Sequence, residues 1–273
     1  MPRTPNRKIT GQLIFLGTGT SHGVPMIGCD CEVCTSDDPR NYRTRSSVVF
    51  GLPEGNLLID TTPELRVQLV REQIGQINAV AFTHEHVDHL FGLDDLRIFP
   101  KYLEHDVPIY CTETVEQSIR SVFRYAFDPI TQRFPAGGVP RLEFRRLDAD
   151  QDGRFEPFDL FGATITPIPL LHGRHDVLGF RVGDLAYCTD VKEIPESSWP
   201  LLEGVETLIL DALREKPHPT HMHLDQAVET AQKLGVRRAI FTHICHNLDH
   251  AATNAKLPEG IELAYDGLVV PLV

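Results

Sequence analysis

The chain has 273 residues, a length that fits one large α/β domain. Hydrophobic residues make up 41% of it and charged residues 23%, a composition that excludes disordered, collagen-like and coiled-coil chains. The 26 Lys and Arg against 38 Asp and Glu give a net charge of -12, so stable nucleic-acid binding is not expected. An anionic substrate needs a local positive centre, and 13 histidines direct attention to bound metal ions.

The sequence contains no segment with the pattern of a membrane anchor. No apolar run reaches the roughly 18 to 20 residues of a membrane span, and the first ten residues lack the apolar core of a signal peptide. We therefore expect a cytoplasmic protein without a membrane partner, in which the six cysteines stay reduced. No repeat or linker divides the chain, so residues 1–273 are predicted to form a single domain.

Apolar runs and turn residues predict an alternation of strands and helices in the first half. The first strand is predicted to begin at 13 and to end in a Gly- and Thr-rich turn that reaches 21. Further strands are predicted at 46–50, 57–60, 78–84 and 107–112. Helices are predicted after the capping residues 61–64 as far as 75, and at 113–127. From 142 to 190 the signals are those of short strands, and strand-like runs at 207–213 and 238–244 then flank a helix at 225–234. This order fits two sheets covered by helices.

Four metal-binding side chains lie within six positions at the end of the strand predicted at 78–84. They are His84, His86, Asp88 and His89. In an extended strand His84 and His86 would share one face, and a following turn would bring Asp88 and His89 toward a second, adjacent ion. The alternative is a polar loop of solvated histidines, but chance packing of this density is rare. The spacing therefore predicts two neighbouring ions.

Three further candidate ligands stand where other predicted strands give way to loops. They are His172, Asp190 and His243. Each one alone is equally compatible with a hydrogen-bonded histidine or a turn aspartate. Because each ion needs three or more protein groups, the repeated placement predicts that they complete the site.

A second metal motif lies in the loop at about 22–36. Cys29, Cys31 and Cys34 form C-x-C-x2-C, and three thiolates this close need one more ligand for a tetrahedral zinc site. His246, three residues after His243, is the preferred fourth ligand, and Cys245 is a weaker rival. A closed Cys3His site would hold one structural zinc ion; three reduced cysteines in a loop are the alternative.

The ordered set of motifs resembles the metallo-β-lactamase superfamily. The resemblance rests on the H-x-H-x-D-H signature, on an aspartate ending an early strand, and on three later ligands in the expected order: His84, His86, Asp88, His89, Asp60, His172, Asp190 and His243. It extends over nearly the whole chain. It implies an α/β fold, a four-layer αββα sandwich of two mixed β-sheets flanked by helices, with the site at one edge of the sheets.

The same resemblance implies a ligand set for two divalent ions. The first ion would be held by His84, His86 and His172, and the second by Asp88, His89 and His243. Asp190 would bridge the two ions, and Asp60 would orient a ligand from behind. Because His86 occupies the second ligand position instead of a glutamate, zinc or manganese is expected and redox iron is not.

The cysteine loop narrows the resemblance to the PhnP-type branch, the phosphoribosyl cyclic phosphodiesterases. It is carried by GTGTSHGVPMIGCDCEVC followed by DPRNYRTRSS, between Leu13 and about His246. The branch hydrolyses ribose cyclic phosphates, and by resemblance His221 in HPTHMHL would protonate the leaving oxygen. An exposed helix-capping histidine is the alternative for His221. PqqB, a cofactor-biosynthesis protein, has a similar loop.

The resemblance implies a dinuclear metal-dependent hydrolase, a phosphodiesterase acting on a small ribose or cyclic phosphodiester through a metal-activated water. Asp190, His221 and Asp60 are the catalytic candidates. The alternatives are a lactonase, a thioesterase, a β-lactamase, a tRNase Z-like nuclease and a PqqB-like metal or small-molecule binding protein. A homodimer is compatible with the strand-rich surface.

Two other patterns are interpreted structurally. Arg43 and Arg45 match phosphate oxygens chemically, but arginines of this kind are more often surface ion-pair partners, so they are not assigned to the site. The aspartates from Asp148 to Asp159 resemble the start of a calcium loop but lack its final glutamate, and a hairpin turn is predicted there.

Overall fold

The computed structural model describes residues 7–134 and 137–272. Residues 1–6, on which part of the signal-peptide prediction rests, lie outside this range. The first half contributes the strands β1 (Gln12–Gly17), β2 (Ser47–Leu52), β3 (Gly55–Ile59), β4 (Ala79–Ala81), β5 (Val107–Cys111) and β6 (Leu142–Arg146). The second half contributes β7 (Phe158–Leu160), β8 (Ala163–His172), β9 (His175–Val182), β10 (Leu185–Cys188), β11 (Thr207–Asp211), β12 (Arg238–Thr242), β13 (Ile261–Leu263) and β14 (Val269–Pro271).

Short helices connect these strands. The α-helices are α1 (Leu65–Arg71), α2 (Val87–Leu90), α3 (Pro100–Leu103), α4 (Glu113–Val122), α5 (Leu224–Leu234) and α6 (His250–Asn254). Short 3-10 helices lie at Pro39–Asn41, Leu93–Ile98, Arg124–Phe127, Thr131–Arg133 and Glu196–Leu202. None of the helices in the described ranges is long and apolar enough to cross a lipid bilayer.

The strands form two mixed seven-stranded sheets. The first has the order β14-β1-β2-β3-β4-β5-β6, and the second β13-β12-β11-β10-β9-β8-β7. Strands β3 to β6 pair in parallel, as do β10 to β13, whereas β1 to β3 and β8 to β10 pair antiparallel. Only β14, the last strand, returns from the second half to the edge of the first sheet, beside β1.

Three buried clusters fill the spaces between four layers. Successive residues of β1 alternate: Ile14 packs in the cluster between the first sheet and its helices, and Phe15 packs between the sheets. Across from Phe15, Phe180 of β9 lies in the same central cluster. A third cluster packs the second sheet against α5 through residues such as Leu210 and Ala231. The predicted α/β fold, a four-layer αββα sandwich, is confirmed.

Several predicted boundaries are wrong by a few residues for identifiable reasons. The strand predicted at 78–84 ends at Ala81, because the amide of Thr83 donates to the side chain of Asp60 (2.8 Å) and not to a neighbouring strand. His84 and His86 therefore do not share a strand face but lie in the loop that leads into α2. Helix α1 begins at Leu65, as predicted, but ends at Arg71, before the predicted end at 75.

The outer parts of other predicted elements also differ. The helix predicted at 113–127 ends as an α-helix at Val122 and continues as the 3-10 turn Arg124–Phe127. Helix α5 fits its prediction within one residue, since Gly235 ends it with a positive φ of 66°. The predicted turn after Asp148 is confirmed: Asp150 accepts from Gly153, and Ala149 pairs with Phe155 across it.

Replacing Phe180 by alanine tests the central core. The ring is fully buried between the sheets, so Phe180→Ala should lower the free energy of unfolding by about 3–5 kcal/mol through lost burial and a residual cavity. Urea titration followed by circular dichroism measures it. Phe134, 53% exposed, supplies the control: Phe134→Ala should change stability by less than about 0.5 kcal/mol. Equal losses in both variants would contradict this packing.

Candidate metal centre

The candidate ligands lie at the carboxyl ends of strands from both sheets, the edge where parallel strands present loops. Asp60 follows β3, Asp190 follows β10 and His243 follows β12. All three have left-handed backbones, with φ of 63°, 53° and 55°. This conformation costs non-glycine residues of the order of 1–3 kcal/mol, and such strain concentrates at functional sites. The chain therefore turns sharply at each of these residues, which places their side chains at the shared edge.

The buried carboxylate of Asp60 organises the loop after β4. It accepts from the amide of Thr83 (2.8 Å) and from its hydroxyl (2.8 Å), and it lies 2.8 Å from Nδ1 of His89. Burial raises the pKa of Asp60, although the neighbouring His89 acts in the opposite direction. With Nδ1 held from behind, His89 directs Nε2 toward Asp190.

One group of possible ligands consists of His84, His86 and His172, whose donor atoms lie within 4.8 Å of one another. Nδ1 of His172 contacts the carbonyl oxygen of Thr220 (2.8 Å), which fixes its ring. His84 is buried, and its Nε2 has no hydrogen-bond partner among the described residues. Burial lowers the pKa of both His84 and His172, the latter to about 4, so both rings are neutral and able to donate a lone pair.

The second group consists of Asp88, His89, Asp190 and His243. Asp190 lies between two imidazoles, with Oδ2 3.0 Å from Nε2 of His89 and Oδ1 3.2 Å from Nε2 of His243. Asp88 approaches the same two nitrogens at 3.4 and 3.8 Å. The two carboxylates and two imidazoles each offer one ligand atom, and these four atoms lie within 4.8 Å of one another.

In this second group, opposite charges counteract the effect of burial on the pKa of each side chain. Burial alone would raise the pKa of Asp190, but His243 and His89 hold it well below its usual range. Burial would lower the pKa of His243, yet Asp190 raises it to about 9. Nε2 of His89 and of His243 nevertheless has no well-formed hydrogen bond in the described chain. Converging buried nitrogens without partners, beside carboxylates, fit divalent cations.

The predicted cysteine cluster is assembled around His246. Nδ1 of His246 lies 3.2 Å from Sγ of Cys29 and 3.4 Å from Sγ of Cys31, and Cys34 completes the group within 4.8 Å. Hydrogen bonding from the backbone of Cys34 lowers the pKa of Cys31 to about 6, while burial raises that of Cys34 to about 11. Four soft donors at this spacing fit one tetrahedral zinc ion.

The rival ligand and the remaining cysteines lie elsewhere. The thiol of Cys245 donates to Oδ1 of Asn247 (3.1 Å) and does not belong to the cysteine group. Cys111 and Cys188 are fully buried, as their apolar surroundings predict. The fold thus separates four cysteine and histidine donors from the other thiols.

The surface assignment of Arg43 is wrong. Arg43 is 1% exposed, and its guanidinium donates to the carbonyl oxygens of Cys245 (2.9 Å) and Leu248 (2.7 Å) and to Oδ1 of Asn41 (3.0 Å). The two carbonyls bracket His246, so Arg43 fixes the loop that carries it. Arg45, in contrast, pairs with Glu64 near the surface, as expected.

Asp211, which the sequence analysis did not select, is central to the site. It is the last residue of β11 and fully buried; its Oδ2 lies 2.8 Å from Nδ1 of His221, and its Oδ1 lies 3.5 Å from Nδ1 of His243. Burial raises the pKa of Asp211, and His221 opposes this shift. Its position after an apolar strand, like that of Asp60, was the signal that could have identified it.

His221 lies against the second group of ligands. Its ring stacks on that of His243 with 4.6 Å between centroids, and its Nδ1 is 3.9 Å from Oδ1 of Asp190. It also borders a cavity of about 240 Å³. The walls of this cavity come from residues 20–23 with Met26, from Leu213, Arg214 and His218 beside His221, and from residues 245–247. The cavity therefore extends from His221 to the loop of the cysteine cluster.

Replacing Arg43 tests its role in fixing the loop. Arg43→Met keeps much of the side-chain volume but removes the guanidinium donors from the carbonyls of Cys245 and Leu248, which should cost about 2–4 kcal/mol of folding free energy. Denaturant titration of the metal-depleted protein measures this. Arg237→Met removes an exposed ion pair with Glu206 and should cost less than about 1 kcal/mol. A loss no larger than in this control would contradict the role of Arg43.

A family model and a solved structure are both similar to this chain. The Beta-lactamase superfamily domain model matches residues 55–244. The crystal structure of a diphosphatase from the PhnP family has a TM-score of 0.86 and 44% sequence identity, over 95% of this chain and 96% of that one. The match therefore covers nearly the whole of both chains.

Two curated relatives share only part of their length with this chain. An octanoyltransferase of Porphyromonas gingivalis is 36% identical over 258 residues, 93% of this chain and 50% of the relative. A coenzyme PQQ synthesis protein B of Methylobacterium radiotolerans is 29% identical over 174 residues, 58% of this chain and 52% of the relative. The chain thus spans about half the length of these two relatives. The family model and the PhnP-family structure together show that the chain belongs to the metallo-β-lactamase superfamily, in its PhnP-like branch.

Proposed function

We propose that the protein is a metal-dependent phosphodiesterase that hydrolyses small phosphodiesters, ribose cyclic phosphates among them. The observation that carries the proposal is the position of His221, which lines the 240 Å³ cavity, pairs with Asp211 and lies 3.9 Å from Asp190. A proton donor next to a site for divalent ions suits the departure of an alkoxide from phosphorus. The PhnP-family diphosphatase, 44% identical, supports chemistry at phosphorus.

The proposal assigns the two groups of donors to two divalent ions, zinc or manganese. His84, His86 and His172 would hold one ion, and Asp88, His89 and His243 the other. Asp190 would be the ligand shared by the two ions, because it groups within 4.8 Å both with His89 and His243 and with His172. When bound, such ions make water acidic enough to act as a nucleophile near neutral pH and neutralise charge on phosphoryl oxygens.

The chain's own residues supply positioning and proton transfer. Asp60 holds His89 by its Nδ1 and so keeps Nε2 available for a ligand bond. Asp211 does the same for His221, whose Nε2 then serves the cavity. In the reaction the oxygen of water bonds to phosphorus, the bond from phosphorus to the leaving oxygen breaks, and that oxygen takes the proton from Nε2 of His221. The proton released by water passes to solvent, which later reprotonates His221.

Other activities of the fold are weaker alternatives. A lactonase, thioesterase or β-lactamase does not act at phosphorus and so does not need His221 as an acid for a phosphoryl leaving group. A tRNase Z-like nuclease must attract a polyanion to a chain of net charge -12. A PqqB-like binding protein would not need the pair of His221 and Asp211. The octanoyltransferase is twice as long as the matched region, so its name does not identify the activity of that half.

Metal analysis with two substrates tests the proposal. Elemental analysis of purified protein should find three metal ions per chain, and the same sample should hydrolyse bis-p-nitrophenyl phosphate and a ribose cyclic phosphate. Asp190→Ala should abolish turnover while the circular dichroism spectrum is retained. Three ions without hydrolysis of either diester would reject the phosphodiesterase, and fewer than two would reject the dinuclear centre.

Removing the imidazole of His221 should affect substrates according to their leaving groups. With an alkoxide leaving group, His221→Ala should lower kcat by about 100-fold or more, since general acids contribute about 10² to 10⁴. With p-nitrophenolate, which leaves without a proton, the loss should be much smaller. Steady-state rates on matched alkyl and nitrophenyl diesters measure the difference. Equal losses on both diesters would show that His221 is not the proton donor.

Replacing one cysteine of the cluster should remove one metal ion. We propose that the cluster holds a structural zinc, which requires reduced thiols and fits a cytoplasmic location. Cys31→Ala should reduce the metal content by one ion per chain and lower the melting temperature. Cys111→Ala, in the buried part of β5 outside the cluster, should retain all the metal. Equal metal content in the two variants would refute the cysteine site.

A further inference from the structure

Arg214 presents a positive charge to the cavity beside His221. It lies three residues beyond Asp211, in the segment between β11 and α5, and lines the cavity together with His221 and His218. Its Nε donates to the carbonyl oxygen of Lys216 (3.1 Å) and its Nη2 to that of Pro217 (3.0 Å). These bonds fix the guanidinium without neutralising it.

The charge of Arg214 is not balanced by a nearby carboxylate. Most arginines of this acidic chain pair with an acid, as Arg45 does with Glu64 and Arg71 with Asp266. For Arg214 no ion pair forms among the residues that the structure describes. The two hydrogen bonds to backbone carbonyls hold the guanidinium in place, and its Nη1 remains available as a donor. An anion that enters the cavity can therefore bind it.

The proton donor and the arginine share the same cavity. Because His221 is placed to deliver a proton to an alkoxide leaving group, the group that occupies this cavity is the leaving group. An uncharged leaving group gains nothing from a guanidinium, whereas a leaving phosphate gains a charge-assisted hydrogen bond. The volume of about 240 Å³ suits a compact group and not a folded polynucleotide.

We infer that Arg214 is a specificity-determining residue that binds an anionic leaving group, so that the preferred substrates are diphosphate-type phosphodiesters. This inference rests on the proposed function and names a substrate class within it. In such a substrate the oxygen of water bonds to one phosphorus, the bond from that phosphorus to the bridging oxygen breaks, and the bridging oxygen leaves as part of the second phosphate. Like p-nitrophenolate, this phosphate is stable enough to leave without taking a proton, and Arg214 together with the N–H of His221 binds its oxygens.

The test compares two substrates that differ in the charge of the leaving group. P1,P2-di(adenosine-5′) diphosphate is symmetric, so its leaving group is a phosphate monoester whichever phosphorus is attacked. Bis-p-nitrophenyl phosphate releases p-nitrophenol and no phosphate. Arg214→Gln should lower the ratio of kcat/KM for the first substrate to that for the second by about 10- to 100-fold, the value of charge-assisted hydrogen bonds. Arg214→Lys keeps the positive charge but lacks the planar, two-pronged donor geometry of the guanidinium, so its ratio should lie between those of the wild type and Arg214→Gln.

Two arginine variants act as matched controls. Arg124→Gln changes the net charge equally on an exposed 3-10 helix and should leave the ratio unchanged. Arg174 is exposed and lines a different cavity, of about 480 Å³, which His84 also lines. Arg174→Gln should also leave the ratio unchanged. If Arg174→Gln lowers the ratio and Arg214→Gln does not, the leaving group lies in that other cavity and the inference is wrong.

A binding measurement separates this inference from the proposed function. Inorganic phosphate is titrated calorimetrically into metal-depleted wild-type protein and into the Arg214→Gln variant, so that no turnover is needed. The affinity should fall at least tenfold in the variant. Equal affinities would overturn the assignment of Arg214 even if the enzyme hydrolyses diesters. Conversely, a tenfold loss in a protein that hydrolyses neither substrate would keep the anion site and reject the phosphodiesterase.

Discussion

The buried carboxylate of Asp190 is the constraint on which the site depends, because it joins imidazoles supplied by both sheets. His89 comes from the loop after β4 of the first sheet and His243 from the end of β12 of the second. A buried carboxylate is stable only when cations or hydrogen-bond donors surround it. The two sheets must therefore bring their carboxyl ends together at this point. The strained backbones of Asp60, Asp190 and His243 are the cost of that convergence.

A second set of contacts ties the N-terminal loop to the same edge. Arg43 binds the carbonyls on either side of His246, and His246 reaches the cysteines at 22–36. The walls of the cavity beside His221 include both of these loops. The cysteine cluster thus does more than hold a loop in place: its position fixes one wall of the space into which a leaving group would move.

The acidic composition and the proposed chemistry at phosphorus are compatible because charge is distributed unevenly. Most arginines form ion pairs with acidic side chains, such as Arg120 with Glu116. Near the centre, the donors that would hold cations combine with the unpaired guanidinium of Arg214. Positive charge is then concentrated where a small anion would bind, while the rest of the surface repels extended polyanions.

The sequence alone predicted the local features of this protein but not the contacts between residues that are distant in the chain. The H-x-H-x-D-H motif, the cysteine spacing and the apolar runs are local, so the fold class and nearly all members of the ligand groups could be predicted from them. The partners of those residues could not. Asp211 falls inside the strand-like run predicted at 207–213, Arg43 resembles a surface arginine, and the pattern predicts His84 and His86 on one strand face. Each of these depends on contacts between residues distant in the chain, such as Arg43 with Leu248 or Asp60 with Thr83. Local patterns record which groups are present, and only the packing of the two sheets decides which buried polar atoms satisfy one another.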